Sequence, residues 1–197
     1  MNESDRKEFF DERAHIWDRI SPHDLQVVNM LADALELKGN EDILDIGTGT
    51  GVMIPYYRQR TMGRITALDM SEKMIEVARS KYPPEEYDVD YVVSDLYDYN
   101  PGKKFDAIIC YSCFPHFTDK AGAIRHLTSL LRDNGKLMIS HGCSRGHINH
   151  VHEQSGDTVC NDRLPDMDTM RSLMASADLR VIWFRDDERT FSLIGMK

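Results

Sequence analysis

The stretch Ile43-Leu44-Asp45-Ile46-Gly47-Thr48-Gly49-Thr50-Gly51 decides how this chain folds. Four residues of strand-type composition run into three glycines spaced two apart, and Val52 to Arg60 then takes up helical spacing. A strand, a tight glycine turn and a helix, in that order, open a parallel sheet that holds a ligand at its carboxyl end. The next strand-type run, Ile65-Thr66-Ala67-Leu68, ends in Asp69, 22 residues beyond Gly47. A carboxylate there accepts both hydroxyl protons of a ribose. The glycine spacing also separates ligand classes. Dinucleotide sites favour G-x-G-x-x-G, which sets a pyrophosphate on the helix N-terminus. Here the pattern is G-x-G-x-G, with Asp45 two residues before the first glycine. That carboxylate repels an anion and favours a ligand with a cationic amino group.

Strand-type runs recur further along at Val89 to Val93, Phe105 to Cys110 and Lys136 to Ser140. Helical spacing fills Ser71 to Tyr82 and Lys120 to Arg132 between them. Ser71 reads as a helix N-cap, and Asn134-Gly135 as the stop before the fifth strand. Strands alternating with helices predict βαβ units and a parallel sheet. The tail breaks the alternation. Two strand-type runs, Arg180 to Phe184 and Thr190 to Ile194, flank five charged residues, Arg185 to Arg189, which predicts a hairpin. The first forty residues read as helical, with Phe10, Ala14 and Trp17 in one apolar stripe at i, i+4, i+7. No linker separates them from the rest. The expectation is one domain over 1–197, with 1–40 a helical cap over the ligand and 41–197 the core.

Composition bounds the function. A chain of 197 residues with 41% hydrophobic and 9% aromatic content builds a real core. Acids outnumber bases 33 to 24, a net charge of −9, which argues against a nucleic-acid partner. No apolar run approaches the roughly 18 residues of a membrane span. Met1 to Glu8 is too charged for a secretion signal, so the expected location is cytoplasmic, with no membrane partner. Four cysteines suit a reducing compartment. Cys110 and Cys113 form a C-x-x-C, but Cys143 and Cys160 do not match it, so the paired zinc pattern is missing. Cys110 reads as a core residue of the fourth strand.

These motifs resemble the Rossmann-like, class I S-adenosylmethionine-dependent methyltransferases. The resemblance runs from about Phe9 to the C-terminus. Asp45 to Gly51 resembles the family's first motif. Asp69-Met70 resembles its ribose-binding acid and the adenine-packing residue after it. Val93-Ser94-Asp95-Leu96 resembles the third-strand motif, whose acid holds the adenine amino group. Phe105 to Ile109 resembles the fourth strand, and Leu131 to Leu137 the turn into the fifth, with Asn134 where the family often has glycine. The resemblance implies an α/β, Rossmann-like doubly wound seven-stranded sheet, mostly parallel with an antiparallel C-terminal hairpin strand. It also implies S-adenosylmethionine as cofactor, held by Asp45, Gly47, Thr48, Gly49, Gly51, Asp69, Met70, Asp95, Leu96 and Tyr111. The tetrapeptide N/D-P-P-Y/F of members that methylate amino groups of bases and glutamine is missing from Cys110 to Phe117. The expected activity is therefore methyl transfer to a small-molecule acceptor. Competing readings are a protein or RNA methyltransferase and a non-catalytic S-adenosylmethionine-binding protein. The acceptor atom and the oligomeric state stay open.

One segment belongs to no motif: His141-Gly142-Cys143-Ser144-Arg145-Gly146-His147-Ile148-Asn149-His150-Val151-His152-Glu153. It starts where the fifth strand delivers residues to the ligand crevice. If Ser144 caps a helix, Arg145, Asn149 and His152 share one face, and His147 and His150 point elsewhere. The candidate catalytic set is His141, His152, Arg145, Asn149 and His116. Arg145 would hold an acidic substrate group, and His141 or His152 would act as base or orienting group. A transition metal held by His116, His141, Cys143 and His152 is the alternative use of the same residues. His126 reads as surface or packing, and His15 and His23 carry no signal.

Overall fold

The computed structural model describes residues 3–155 and 159–197. The quoted stretch forms β1 (Ile43–Ile46), buried along its whole length. It pairs in parallel with β2 (Ile65–Asp69) on one side and β4 (Phe105–Tyr111) on the other. β3 (Val89–Val93) continues beyond β2, and β5 (Leu131–His141) beyond β4, all parallel. β6 (Arg180–Asp186) and β7 (Phe191–Met196) form the expected hairpin. β7 lies antiparallel against β5, so the seven-stranded order is β3-β2-β1-β4-β5-β7-β6. This is the doubly wound, Rossmann-like sheet that the glycine turn predicts.

Alternating residues of the central strands feed two apolar layers. Ile43, Ala107, Ile109 and Met138 meet α3 (Leu25–Ala34) and α4 (Ile54–Arg58) on one face. Leu44, Ile46, Ile108 and Ile139 meet α7 (Lys120–Leu130) and α9 (Met167–Ala175) on the other. α5 (Glu72–Lys81) follows β2, and Ser71 caps it as expected, its hydroxyl accepting from the Met74 amide at 3.0 Å. α6 (Pro84–Tyr87) leads into β3. α8 (Arg145–Gln154) follows β5 and is capped by Ser144, whose hydroxyl accepts from the His147 amide at 3.2 Å. The N-terminal segment is helical, as α1 (Glu3–Arg13), a 3-10 turn at Ala14–Ile16, and α2 (Trp17–Ile20).

The boundary before β5 differs from the sequence reading. The helix expected over Lys120 to Arg132 ends at Leu130. Leu131 turns extended, with φ −80° and ψ 141°, and is fully buried beside Phe105. Burying that leucine and pairing it with β4 outweighs two more helical residues. Asn134 then turns the chain at φ 63°, the left-handed conformation that asparagine tolerates. Among the described residues no helix is long and apolar enough to cross a membrane.

Candidate functional site

The strand order reverses direction between β1 and β4, and the loops after those two strands meet there. Gly47 makes the meeting possible. It sits at φ 61°, and a Cβ on it would lie 2.6 Å from the Cys113 Cβ. The turn is pinned by the Thr48 amide on the Leu68 carbonyl at 3.0 Å. A cavity of about 710 Å³ opens above these loops, within the roughly 300–1,000 Å³ of small-molecule sites. Gly49, at φ 54°, borders it, and a Cβ there would meet nothing within 4 Å. The loop is thus a bare backbone cradle, open for a ligand to approach.

Asp69 stands at the cavity wall, almost fully buried. Its Oδ2 accepts from the Gly49 amide at 2.8 Å and its Oδ1 from the Ser71 amide at 2.9 Å. Each oxygen keeps a lone pair for a ligand hydroxyl. Burial pushes this carboxyl up to about 6, against the two amide bonds that lower it. Met70, Asp95, Leu96 and Tyr111 line the same cavity, as do Thr48 and Gly47. The Asp95 carboxylate is aligned by the Tyr97 amide at 2.7 Å.

Two expected cofactor residues sit behind the wall. Asp45 is 2% exposed and its carboxylate is occupied by the Thr48 hydroxyl at 2.7 Å and the Tyr57 hydroxyl at 3.1 Å. Burial pushes it up to about 7. It therefore shapes the turn instead of meeting a ligand's amino group, which corrects the electrostatic role read from its position. Gly51 likewise faces Ile54 and Tyr82, turning the chain into α4.

The N-terminal segment roofs the cavity. Phe10 and Trp17 line it, with ring centroids 5.5 Å apart, and Ala14 is buried beneath them. Polar clasps hold the roof to the core. Asp11 accepts from the Ser71 hydroxyl at 2.6 Å. Asp18 accepts from the Thr50 hydroxyl at 2.5 Å and pairs with Lys81 at 2.6 Å. His23 Nδ1 lies 3.2 Å from the Tyr111 hydroxyl. His23 carried no sequence signal, yet it lines the cavity, and burial holds it below the usual imidazole range.

Histidines gather at the other end. His116, His141 and His152 all line the cavity. The His116 and His152 rings are 5.1 Å apart. The Asp162 carboxylate takes the His116 Nδ1 at 2.7 Å, and the Asp162 carbonyl takes the His152 Nδ1. Arg6 holds the same carboxylate at 3.0 and 3.3 Å. His141 is 3% exposed, and burial first, then its histidine neighbours, pushes it down to about 3.

The face assigned to α8 needs correction. The residues that reach the cavity are His147, Ile148, Val151, His152 and Ser155, a stripe rotated by roughly 100°, one residue, from the expected one. Asn149 instead clamps the chain beyond the helix. Its Nδ2 donates to the Leu164 carbonyl at 3.1 Å and its Oδ1 accepts from the Leu164 amide at 2.8 Å. Arg145 is half-buried away from the cavity, on the side of Asp166. The apolar Ile148, buried in the core, sets the rotation. The metal reading also fails on geometry. Among the described residues no three His, Cys, Asp or Glu side chains group closely enough to hold an ion. Cys143 lines the same cavity, its thiol kept neutral by burial.

Arg6 and Asp162 were missed. Arg6 shares the stripe of Phe10, Arg13 and Trp17 at i, i+4, i+7, i+11, and all four line the cavity, so extending the apolar stripe to its polar members would have found it. Asp162 lies in irregular chain with no periodic signal.

This fold is the Rossmann-like sheet on which class I methyltransferases are built, and the cavity lies at the carboxyl end of its strands. The chain matches, over residues 44–139, the family described as a methyltransferase domain. It is 32% identical over 134 residues to a malonyl-[acyl-carrier protein] O-methyltransferase of Acetivibrio thermocellus, covering 66% of this chain and 47% of that protein. It is 33% identical over 133 residues to a ubiquinone biosynthesis O-methyltransferase of Xanthomonas euvesicatoria, covering 63% and 54%. The chain thus spans about half the length of these curated relatives. Among solved structures it resembles the magnesium protoporphyrin IX methyltransferase of Synechocystis PCC 6803 with bound SAH, at 18% identity and TM-score 0.78 over 98% of both chains.

Proposed function

We propose that the chain binds S-adenosylmethionine in this cavity and catalyses transfer of its methyl group to a small-molecule acceptor. The observation that carries the reading is the open glycine cradle at Gly47 to Gly49 with the buried Asp69 carboxylate beside it. Asp69 accepts the ribose hydroxyls, Asp95 the adenine amino group, and Met70 and Leu96 flank the base. When bound, the cofactor supplies a methyl group already activated by its sulfonium. The protein's part is to align donor and acceptor and to exclude water, which the aromatic roof of Phe10 and Trp17 does. SAH bound in the Synechocystis structure supports the cofactor assignment. Two relatives are named as O-methyltransferases, which favours an oxygen acceptor. The histidine end of the cavity is the acceptor side, with His116, His141 and His152 as its polar groups. The net charge of −9 favours a small molecule over a nucleic acid.

The test is titration calorimetry of the purified chain with S-adenosylmethionine and S-adenosylhomocysteine, together with mass spectrometry of whatever co-purifies. One-to-one binding of both, weakened by Asp69→Asn, is expected. Absence of binding by either refutes the reading.

A further inference from the structure

We propose that the acceptor carries an acidic hydroxyl, on an aromatic or enolic carbon, and that Nε2 of His116 removes its proton, with Asp162 and Arg6 as positioning residues. This rests on the methyl-transfer reading above and names the chemistry of its acceptor side.

The geometry is directional. An ionised carboxylate only accepts, so the 2.7 Å contact makes His116 Nδ1 the donor to Asp162 and leaves Nε2 with its lone pair free. Arg6 braces the carboxylate with its Nη2 at 3.0 and 3.3 Å, and both partners are nearly buried, at 9% and 12% side-chain exposure. Burial, offset in part by Asp162, holds His116 below its ordinary range, so the imidazole is neutral at pH 7 and has room for a proton. A second observation points to an oxygen ligand. Arg6 Nε and His141 Nε2 are both buried, and neither has a hydrogen-bond partner among the described residues. Both residues line the cavity with His116. Arg6 Nε can only donate, and a buried donor left without a partner is costly, a cost that an acceptor oxygen would relieve.

The base selects the acceptor. A carboxylic acid is already ionised at neutral pH and leaves His116 without a task. An aliphatic alcohol holds its proton far more tightly than a phenol, so a base held below the ordinary imidazole range is better matched to the more acidic hydroxyl. A phenol or enol, which holds its proton to about pH 10, is within reach. The wall agrees: Phe10 packs edge-on to His116 at 5.4 Å and to Trp17 at 5.5 Å, so the cavity lining beside His116 is aromatic and suits contact with a flat ring. In the transfer step the acceptor O–H bond breaks and its proton goes to Nε2. The oxygen forms a bond to the methyl carbon, the carbon–sulfur bond breaks, and its electron pair stays on sulfur. The imidazolium then yields its proton to water.

Arg6 comes from α1, His116 from the turn after β4, and Asp162 from beyond α8, so docking of the N-terminal roof completes the base.

The test uses methyl-labelled S-adenosylmethionine with phenol, pentafluorophenol (ionised at neutral pH), benzoate and benzylamine. Label is expected on both phenols. His116→Gln should cut transfer to phenol by about 100-fold or more, and to pentafluorophenol by less than about tenfold, because only phenol needs the base. S-adenosylhomocysteine affinity should be unchanged in that variant. Nitrogen-15 NMR should show His116 protonated at Nδ1 and bare at Nε2, and Asp162→Asn should lose that preference and lower kcat more than it changes KM. Label only on benzoate or benzylamine, label on none of the four, equal losses with both phenols, or a bare Nδ1 overturns the proposal. If the cofactor binds but no phenol is methylated, only this inference fails. If the cofactor does not bind, the methyl-transfer reading fails with it.

Discussion

Replacing Asp69 by asparagine removes one carboxylate oxygen and inserts a donor of the same shape. In the structure Oδ2 accepts from the Gly49 amide and Oδ1 from the Ser71 amide, so the new NH2 must face one of these N–H groups. The ligand side loses a charged acceptor for one or both ribose hydroxyls, each bond worth about 1.5–3 kcal/mol. An affinity loss of about 2–4 kcal/mol follows, roughly 30- to 1,000-fold, for S-adenosylmethionine and S-adenosylhomocysteine alike. The fold should survive. Burial raises this carboxyl from 3.8 to about 6, so keeping it ionised at pH 7 costs the folded state on the order of 3 kcal/mol. Removing the charge offsets the amide bond that is lost, and the melting temperature of the free variant should stay close to wild type. The pH signs are opposite for folding and binding. With the folded value above the unfolded one, the folded state holds the extra proton between pH 4 and 6, so this group's contribution to stability falls as pH rises through that window. Binding needs the ionised form, so wild-type affinity should drop towards tenfold per unit below about pH 6, and Asp69→Asn should lack that dependence. Calorimetry with S-adenosylhomocysteine from pH 5 to 8 measures both. A variant affinity within twofold of wild type, or a flat wild-type profile, refutes the role given to Asp69.

The two glycines of the turn should separate in the same assays. Gly47→Ala places a Cβ 2.6 Å from Cys113 Cβ at a left-handed φ, so melting temperature and cofactor affinity both fall. Gly49→Ala meets nothing within 4 Å and costs the fold only the left-handed conformation, about 1–2 kcal/mol, while its methyl blocks the cradle and cofactor binding is lost. Ser71→Ala removes the cap on Met74 and the 2.6 Å bond to Asp11 together. About 1 kcal/mol of stability should go, read by denaturant unfolding, and proteolysis near Arg13 should speed up because the roof has lost a clasp. In the wild type the same cleavage should slow when S-adenosylhomocysteine is present, since Phe10 and Trp17 line the cavity it fills. Equal rates with and without it refute the roof's coupling to the cofactor.

The sheet and the glycine-turn end of the cavity were legible in the sequence alone. Periodicity places the strands, and glycine spacing with an acid at the next strand's end specifies the cradle, because both are local: a tight turn needs glycine wherever it occurs. Gly47, Gly49, Asp69 and Asp95 therefore stand at the cavity where sequence spacing puts them. Ser144 as a cap is equally local and equally readable. The histidine end of the cavity was decided elsewhere. Helical arithmetic puts Arg145, Asn149 and His152 on one face, but nothing in the helix states which way that face turns. Ile148 settles it by burying itself in the core, and Asn149 turns to the Leu164 backbone. Asp45 reads as a ligand contact from its neighbours in sequence, and tertiary packing against Tyr57 makes it a brace. Arg6 and Asp162, 156 residues apart, become partners of His116 only when the roof docks. Local rules of turn and helix act within a few residues, whereas the rotation of a helix and the meeting of distant charges follow from which apolar groups leave water together, a property of the whole packed core.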